Sequence, residues 1–268
     1  MITTIAELNQ LIKTDLNSLD RLQPFVEDAK HILYDAIGYP QYRELELLAQ
    51  ESSSPAREEE EKEEEKKTAI GLAKAAFAAV LIRCASPFLD INITGVGYTT
   101  ASQQNQVAAS TDRVSRFNEG LANLTSARID ALLSFMELHL DSFPLWAQSR
   151  FCTVLGECFL ASADSVAALT GKKCLRQDFV CKRSEIYRTE SVLKRQYAPV
   201  FDTPTTKNDS SERKEAIRLF QQHVALLVFG KTDPGNELNA YVVNNASVLG
   251  YTPPSAYTNT SNSPIFFM

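Results

Sequence analysis

The stretch TAIGLAKAAFAAVLIRCASPF, residues 68–88, decides the fold of this chain. It is largely apolar and rich in alanine, the residue with the highest helix propensity. The run before it, REEEEKEEEKK at residues 57–67, consists of strong helix formers with charged side chains. We therefore expect an exposed, charged helical extension that leads into a buried helix. This helix should end before Pro87, because proline cannot continue it.

A second stretch of the chain repeats this pattern. The segment ERKEAIRLFQQHVALLV at 212–228 aligns with EKKTAIGLAKAAFAAVL at 65–81 at a constant offset of 147 residues. Either an internal duplication or the biased residue alphabet of helices explains the match. A duplication predicts two helical halves, at 1–110 and 111–268, packed as one compact unit. The identical pairs are Glu65/Glu212, Lys67/Lys214, Ala69/Ala216, Ile70/Ile217, Leu72/Leu219 and Ala78/Ala225.

Helix signals also dominate elsewhere, so the expected fold is a mainly α helical bundle. Thr4 and Glu7 have the spacing of a capping box. An apolar stripe from Leu22 to Ile37 should end at Gly38, and Pro40 can open the next helix. Further helices are expected from Pro144 through Phe159, at 177–197, and from a cap at Ser211 to a stop at Gly230. Another is expected at about 112–140, and its inward-facing residues should be Phe117, Leu121, Leu124, Leu132 and Met136.

One segment has strand periodicity instead. In LDINITGVGYTT, residues 89–100, apolar and polar side chains alternate, and two glycines permit a tight turn. No charged residue occurs from Ile91 to Thr111. We expect a small β-hairpin within an extended segment at about 86–110.

The last 31 residues, from Leu238 to Met268, also carry no charge. This stretch ends in four large apolar side chains, which suits an extended arm that pairs with a strand edge and plugs a hydrophobic site on another subunit. The alternative is that the arm folds back on its own domain. Contacts between subunits are expected from Ile265, Phe266, Phe267, Met268, Tyr251 and Tyr257 in this arm, and from Ile93, Tyr98 and Gln103 in the first uncharged segment.

Composition narrows the function classes. The formal net charge of −6 and the pI near 5.3 argue against binding to nucleic acid through phosphate contacts. The first residues, MITTIAELNQL, lack the pattern of a signal peptide, and no stretch has 18 consecutive apolar residues, so neither secretion nor a membrane is expected. The five cysteines form no CxxC pair and are expected to be reduced in a cytoplasm.

Catalytic and metal-binding patterns are missing from the sequence. The chain has no P-loop, no nucleophile elbow and no zinc-protease motif. Glu27, Asp28 and His31 could share a helix face, but a helical di-metal site needs such a motif twice. His139 and His223 have no ligands at zinc spacing. We therefore expect no catalytic, cofactor-binding or metal-binding residues, and a protein that is not an enzyme.

The order of these parts resembles phage head–tail connector (adaptor) proteins of the larger prophage type. The resemblance rests on ITTIAELNQLIK and DLNSLDRLQPFVEDAKHILYDAIGYPQYREL at the start, and on DINITGVGYTTASQQNQVAASTDRVSRFNEGLANLTSARIDALLSFME at 90–137. Together these segments cover about a third of the chain. The chain differs from the small connectors in being about twice as long and in carrying the Glu/Lys run at 57–67.

This resemblance implies a structural virion protein of the neck, assembled in the host cytoplasm. It implies a homo-oligomeric ring, commonly of twelve copies, that contacts the portal protein and tail or neck proteins. DNA would pass through its channel without sequence recognition. The alternative from another class is a cytoplasmic helical binding or scaffold module whose tail packs within the same chain.

Overall fold

The computed structural model describes residues 4–12, 18–50, 60–89, 91–94, 97–100, 110–206, 208–230 and 232–254. The described chain is mainly α-helical, as predicted, and it forms two compact units. Unit 1 contains the described residues up to Val154 together with Leu175–Cys181, and unit 2 contains Leu155–Cys174 and the described residues from Lys182 onwards. The division therefore falls near residue 154, later than the expected boundary at 110.

Unit 1 is built from seven helices and one hairpin in the described residues. They are α1 (Ile5–Ile12), α2 (Val26–Ile37), α3 (Tyr39–Leu48), α4 (Glu60–Ala85), the strands β1 (Ile91–Thr94) and β2 (Gly97–Thr100), α5 (Thr111–Leu138), α6 (Pro144–Ala147) and α8 (Arg176–Cys181). Short 3-10 turns lie at Gln23–Phe25, Ser86–Phe88 and Leu140–Ser142.

Helix α4 is the centre of unit 1 and packs against α5, α2, α1 and α3. Its fully buried side chains are mostly methyl groups, which let neighbouring helices approach closely. The helix ends at Ala85, before Pro87, as the sequence predicts. The buried alanines of α4 are Ala69, Ala73, Ala76, Ala78, Ala79 and Ala85.

The predicted boundaries of α2 and α3 are confirmed. Gly38 ends α2 with a φ of +82°, and Pro40 lies in the first turn of α3. A Cβ atom at Gly38 would also lie 2.9 Å from Cδ2 of Phe151, so both backbone conformation and space require glycine here. At α1, the hydroxyl of Thr4 accepts a hydrogen bond from the Glu7 amide at 3.2 Å, as the capping box predicts.

The predicted hairpin is present. Strands β1 and β2 pair antiparallel, with Ile91 opposite Thr100 and Ile93 opposite Tyr98. Helix α5 follows the hairpin in sequence and belongs to unit 1 because Leu121, Ile129 and Leu132 are buried in the same core as α4. This packing is the reason why the division of the chain comes after α5 and not before it.

Unit 2 is centred on α10 (Ser211–Ala225), which continues into a π-helical turn at Leu226–Gly230. Helices α7 (Ala163–Thr170), α9 (Arg183–Gln196), α11 (Glu237–Asn244) and α12 (Ala246–Leu249) pack against it. The N-cap of α10 is Ser210, one residue earlier than predicted, and its Oγ accepts from the Arg213 amide at 3.2 Å. The stop at Gly230 agrees with the sequence.

Two predictions about helices and the arm are wrong. The helix expected from Pro144 through Phe159 ends at Ala147, and irregular chain follows up to Ser162. Residues 238–249, expected to be part of an extended arm, instead form most of α11 and all of α12. Leu238 and Val242 are four residues apart on one helix face, and their burial in unit 2 favours the helix.

The aligned helices α4 and α10 play similar roles in their own units. Both are the central helix, and both bury the aligned alanine pairs Ala69/Ala216 and Ala78/Ala225 completely. This pattern is compatible with two related halves, and the internal duplication stays a prediction.

Candidate assembly surface

The first ten residues of α5, Thr111–Gly120, are all exposed to solvent. We call this segment the α5 projection. Ser110 precedes it with extended backbone and makes no side-chain capping hydrogen bond. Isolated helices shorter than about 12–15 residues are marginal in water, so helices usually depend on a buried face. The α5 projection lacks such a face within the described part of the chain.

Two large apolar side chains lie on the α5 projection. Val114 is 45% exposed and Phe117 is 55% exposed, although the sequence predicts Phe117 to face inward. They stand seven and four residues before Leu121, which is buried, so they continue the apolar stripe of the core helix beyond the core. The spacing of Val114 and Phe117 indicates an apolar helix face, but the sequence alone could not show how far along α5 the neighbouring helices pack against it.

Most charged side chains of the α5 projection lie on the side of the helix away from this apolar pair. Asp112, Arg113, Arg116 and Glu119 all lie on the α5 projection, and their formal charges cancel. With about 3.6 residues per turn, Asp112, Arg116 and Glu119 fall on the face opposite Val114 and Phe117. The α5 projection is therefore amphipathic, and its exposed apolar face suits contact with another protein chain.

The hairpin ends at Thr100, and ten residues separate it from this projection. Ile93 and Tyr98, both expected at subunit contacts, are opposite each other in its register. The structure thus brings these two positions together on neighbouring strands. Gln103, the third expected contact in this segment, lies outside the described residues.

Tyr251, also expected at a subunit contact, lies in the core of unit 2. It is only 8% exposed, and its ring centroid is 5.9 Å from that of Tyr197. Its amide donates to the carbonyl of Ala246 at 2.9 Å. Tyr251 therefore fixes the chain after α12 to its own unit. The other expected contacts in the arm, Tyr257, Ile265, Phe266, Phe267 and Met268, lie outside the described residues.

A buried ionic cluster connects α5 and α8 within unit 1. The guanidinium of Arg176 donates to Glu137 at 2.7 Å and lies 3.5 Å from Asp130, while the Arg176 amide donates to Asp130 at 2.9 Å. The second oxygen of Glu137 accepts from the hydroxyl of Thr153. Arg176 is 6% exposed. This cluster explains why residues 175–181 belong to unit 1, and its saturated hydrogen bonding indicates a structural role.

His139, Glu65 and Ser142 form a second polar cluster in unit 1. The Ser142 hydroxyl donates to one oxygen of Glu65 at 2.5 Å, and Nδ1 of His139 lies 2.8 Å from the other oxygen. The hydrogen bond from Ser142, and then that from His139, hold the pKa of Glu65 below its usual value. The carboxylate of Glu65 lies between Ser142 and His139. In an activated serine nucleophile, the serine hydroxyl would instead donate its hydrogen bond to the histidine. The geometry is that of a structural link between α4 and the end of α5.

His31 and the cysteines are the remaining candidate metal ligands and nucleophiles of the sequence. Within the described chain, no group of three or more His, Cys, Asp or Glu residues could hold a metal ion. The carboxylate of Glu27 pairs with Lys30 at 2.8 Å, and His31 packs edge-on against Tyr34. All five cysteines are free, as predicted. Burial raises the pKa of Cys158 to about 12, which makes that thiol a poor nucleophile.

The segment Lys62–Phe88 is the one stretch among the described residues that is long and apolar enough to cross a membrane. More than half of its apolar window, 56%, is buried inside the protein. It coincides with α4 and its following turn, so its apolar character is accounted for by its place as the core helix of unit 1.

Comparison with known proteins gives one match. Residues 33–155 are similar to a family of unknown function, DUF6712. This region runs from α2 through α6 and ends where unit 1 gives way to unit 2. No curated protein and no solved structure matches the chain.

Proposed function

We propose that the protein is a structural, non-catalytic subunit of a homo-oligomeric ring, the head–tail connector of a phage or phage-like particle. The observation that carries this proposal is the α5 projection, a helical segment with an apolar pair that its own unit leaves in water. A soluble monomer gains nothing from such a segment. In a ring, each copy offers it to the next.

A ring repeats the same small contact between neighbouring copies. Burying Val114 and Phe117 completely would supply about 1.5–3 kcal/mol each relative to exposure. This gain is modest beside the cost of association, roughly 4–15 kcal/mol. A single contact of this size makes a weak dimer, whereas a closed ring uses the same contact at every subunit boundary. The proposed assembly therefore needs further contacts, and the hairpin and the uncharged arm are the segments we assign to them.

The sequence resemblance is what favours a head–tail connector as the assembly. The segments that resemble head–tail connectors include the start of unit 1 and residues 90–137, which span the hairpin and most of α5. The resemblance puts the ring in the virion neck, between the portal protein and the tail, with commonly twelve copies. The acidic net charge of −6 suits a channel through which DNA moves without being held.

The test is the mass of the purified chain in solution, alone and mixed with a candidate portal protein. We expect a ring-sized oligomer in at least one of these conditions. The double variant Val114→Ser/Phe117→Ser should lose the oligomer while its circular dichroism stays unchanged, because both side chains are exposed in the single subunit.

The matched control is Leu138→Ser/Val192→Ser, which removes two other exposed apolar side chains from outside the α5 projection. This control should assemble like the natural protein. Equal loss of assembly in both double variants would contradict the role of the α5 projection. A single copy in every condition would contradict the ring itself.

A second candidate is a helical binding or scaffold module whose tail packs within its own chain. The burial of Tyr251 against Tyr197 favours it, because the first part of the uncharged segment does fold onto unit 2. This candidate predicts a monomer that binds a partner with one-to-one stoichiometry. The same mass measurement separates the two.

A further inference from the structure

Unit 1 has an apolar cleft between the start of α2 and the middle of α4. Its volume is about 200 Å³. Small-molecule sites usually measure about 300–1,000 Å³, so this cleft better suits one large side chain than a cofactor. The apolar lining consists of Leu19, Leu22, Val26, Phe77 and Leu81, and the polar lining of Gln23, Lys30 and Glu46.

The charged groups of the cleft already have partners in the same unit. Lys30 pairs with Glu27 at 2.8 Å, and Glu46 accepts from Arg43. A charged ligand would therefore have to compete with existing ion pairs and would lose its own hydration. The surface that the cleft leaves to a ligand is part hydrocarbon and part polar. Because its charged groups are already paired, the cleft favours a neutral ligand over an ion, and its five apolar side chains can pack against a large apolar side chain.

The sequence of this chain contains such a ligand. From Leu238 to Met268 no residue is charged, and Ile265, Phe266, Phe267 and Met268 follow one another. Ile265 comes eleven residues after Pro254, the last described residue. An extended chain covers at most about 3.3–3.6 Å per residue, so this stretch can span roughly 36–40 Å.

We propose that the unit 1 cleft receives the apolar segment 265–268 of a second copy, with Phe266 or Phe267 as the inserted side chain. The inference rests on the proposed ring, and it names the receptor for the arm. A buried aromatic anchor in a small pocket is the usual form of an interaction hot spot. The neutral arm also crosses the rim of the cleft without leaving an ion buried and unpaired.

Photo-cross-linking in the full chain tests this proposal. One tagged copy carries p-benzoylphenylalanine in place of Phe267, which keeps a large aromatic group at the probe position. It is co-expressed with a copy truncated after Pro254, which has the cleft but lacks the segment. Cross-linked pairs are separated by mass and mapped by peptide analysis. We expect adducts on Leu19–Val26 or Phe77–Leu81 of the truncated copy.

Two variants sharpen the result. Val26→Asp puts a charge on the wall of the cleft and should lower the cross-link yield at least about tenfold, the equivalent of one decade in affinity. Val192→Asp introduces the same charge on the exposed face of α9 and should leave the yield unchanged. If Val26→Asp lowers the helix content, Leu19→Ser on the same wall replaces it, with the same expected loss.

The position of the adducts tests the cleft as the receptor, and the molar mass of the assembly tests the ring. Adducts confined to the cleft of the same copy, or to any other part of either copy, would overturn the cleft as receptor while an oligomeric mass still supports the ring. A chain that remains a single copy at high concentration would overturn the ring and, with it, a receptor on a second copy.

Discussion

Unit 1 and unit 2 are both helical, but they fill their cores with different side chains. The central helix of unit 1 buries alanines, which allow two long helices, α4 of 26 residues and α5 of 28, to pack along each other. The central helix of unit 2 buries Phe220, whose ring centroid lies 4.5 Å from that of Phe201 and 5.3 Å from that of Phe159. The contact between α4 and α5 is a seam of methyl groups, although the unit 1 core also buries Trp146, Tyr42 and Phe143. The centre of unit 2 is a cluster of rings.

This difference decides how regular the surrounding chain is. A seam of small residues requires straight, continuous helices on both sides. A ring cluster instead gathers side chains from irregular chain, and Phe159 and Phe201 both lie outside helices. The irregular chain near Phe159 is fixed by Glu190, which is 1% exposed and accepts from the amides of Phe159 and Leu160 at 3.2 and 2.9 Å. The two longest helices of the described residues, α4 and α5, lie on either side of the methyl seam in unit 1.

The largest effect is expected from removing a ring in unit 2. Phe220→Ala should lower the free energy of unfolding by about 3–5 kcal/mol, because it leaves a cavity among aromatic neighbours. Urea unfolding measured by circular dichroism reports on both units, whereas the fluorescence of Trp146, the single tryptophan, reports on unit 1.

We expect the dichroism transition of Phe220→Ala to broaden or split, and the Trp146 transition to move less. Phe117→Ala, which truncates an exposed ring, is the control and should change neither transition of the single subunit. Equal shifts of both signals in Phe220→Ala would mean that the two units unfold as one, and the contrast between them would not extend to stability.

The next effect is expected at the ionic cluster of unit 1. Arg176→Ala should cost roughly 3 kcal/mol, because it leaves the carboxylates of Glu137 and Asp130 buried without their cation. The Trp146 transition should move to lower urea concentration. Arg218→Ala removes an exposed pair with Glu215 and should cost less than about 1 kcal/mol. A small effect in Arg176→Ala would show that water reaches the cluster.

Enlarging the methyl seam should have a smaller effect. Ala76→Leu should destabilise unit 1 by about 1–3 kcal/mol, because the added atoms have no space in a closely packed core. Gly71→Ala in the same helix is the matched control, since no atom lies within 4 Å of the added Cβ. It should stabilise the protein by up to about 1 kcal/mol through helix propensity. If Ala76→Leu is tolerated as well as Gly71→Ala, the seam is not closely packed.

The contrast between the units also explains what the sequence could predict. Helices α2, α3, α4 and α10 follow from apolar periodicity and end signals such as Gly38 and Pro87, which act within a few residues. The hairpin follows from alternation and two glycines. These features are local, and unit 1 consists largely of them.

What the sequence could not predict depends on distant partners. The chain around Phe159 is irregular where the sequence predicts a helix, because the carboxylate of Glu190, 31 residues later, accepts hydrogen bonds from the amides of Phe159 and Leu160. The same limit applies to the α5 projection. Phe117 has the spacing of a core residue. It is exposed because the elements packed against α5 do not extend as far as this residue. The contact of Tyr251 with Tyr197 is a similar case, since Tyr197 is 54 residues earlier. The interface at Tyr251 stays a prediction.

The smallest effect is expected from the Glu65 link in unit 1. The folded pKa of Glu65 is lowered, so its contribution to stability is present above the unfolded pKa of about 4.5 and is lost as the pH falls through the folded value. Ser142→Ala removes the main cause of this shift. The difference in unfolding free energy between the natural protein and Ser142→Ala should therefore be constant above about pH 4.5 and shrink below it. A difference independent of pH would show that Ser142 acts only through packing.

The most direct test of the account is the molar mass of the chain truncated after Pro254, compared with that of the full chain at the same concentration. The truncation keeps Tyr251 and both described units. We predict unchanged helix content and the loss of the ring-sized species, because the apolar segment 265–268 joins one copy to the next. An oligomer of unchanged mass, or a truncated chain that no longer folds, would contradict it.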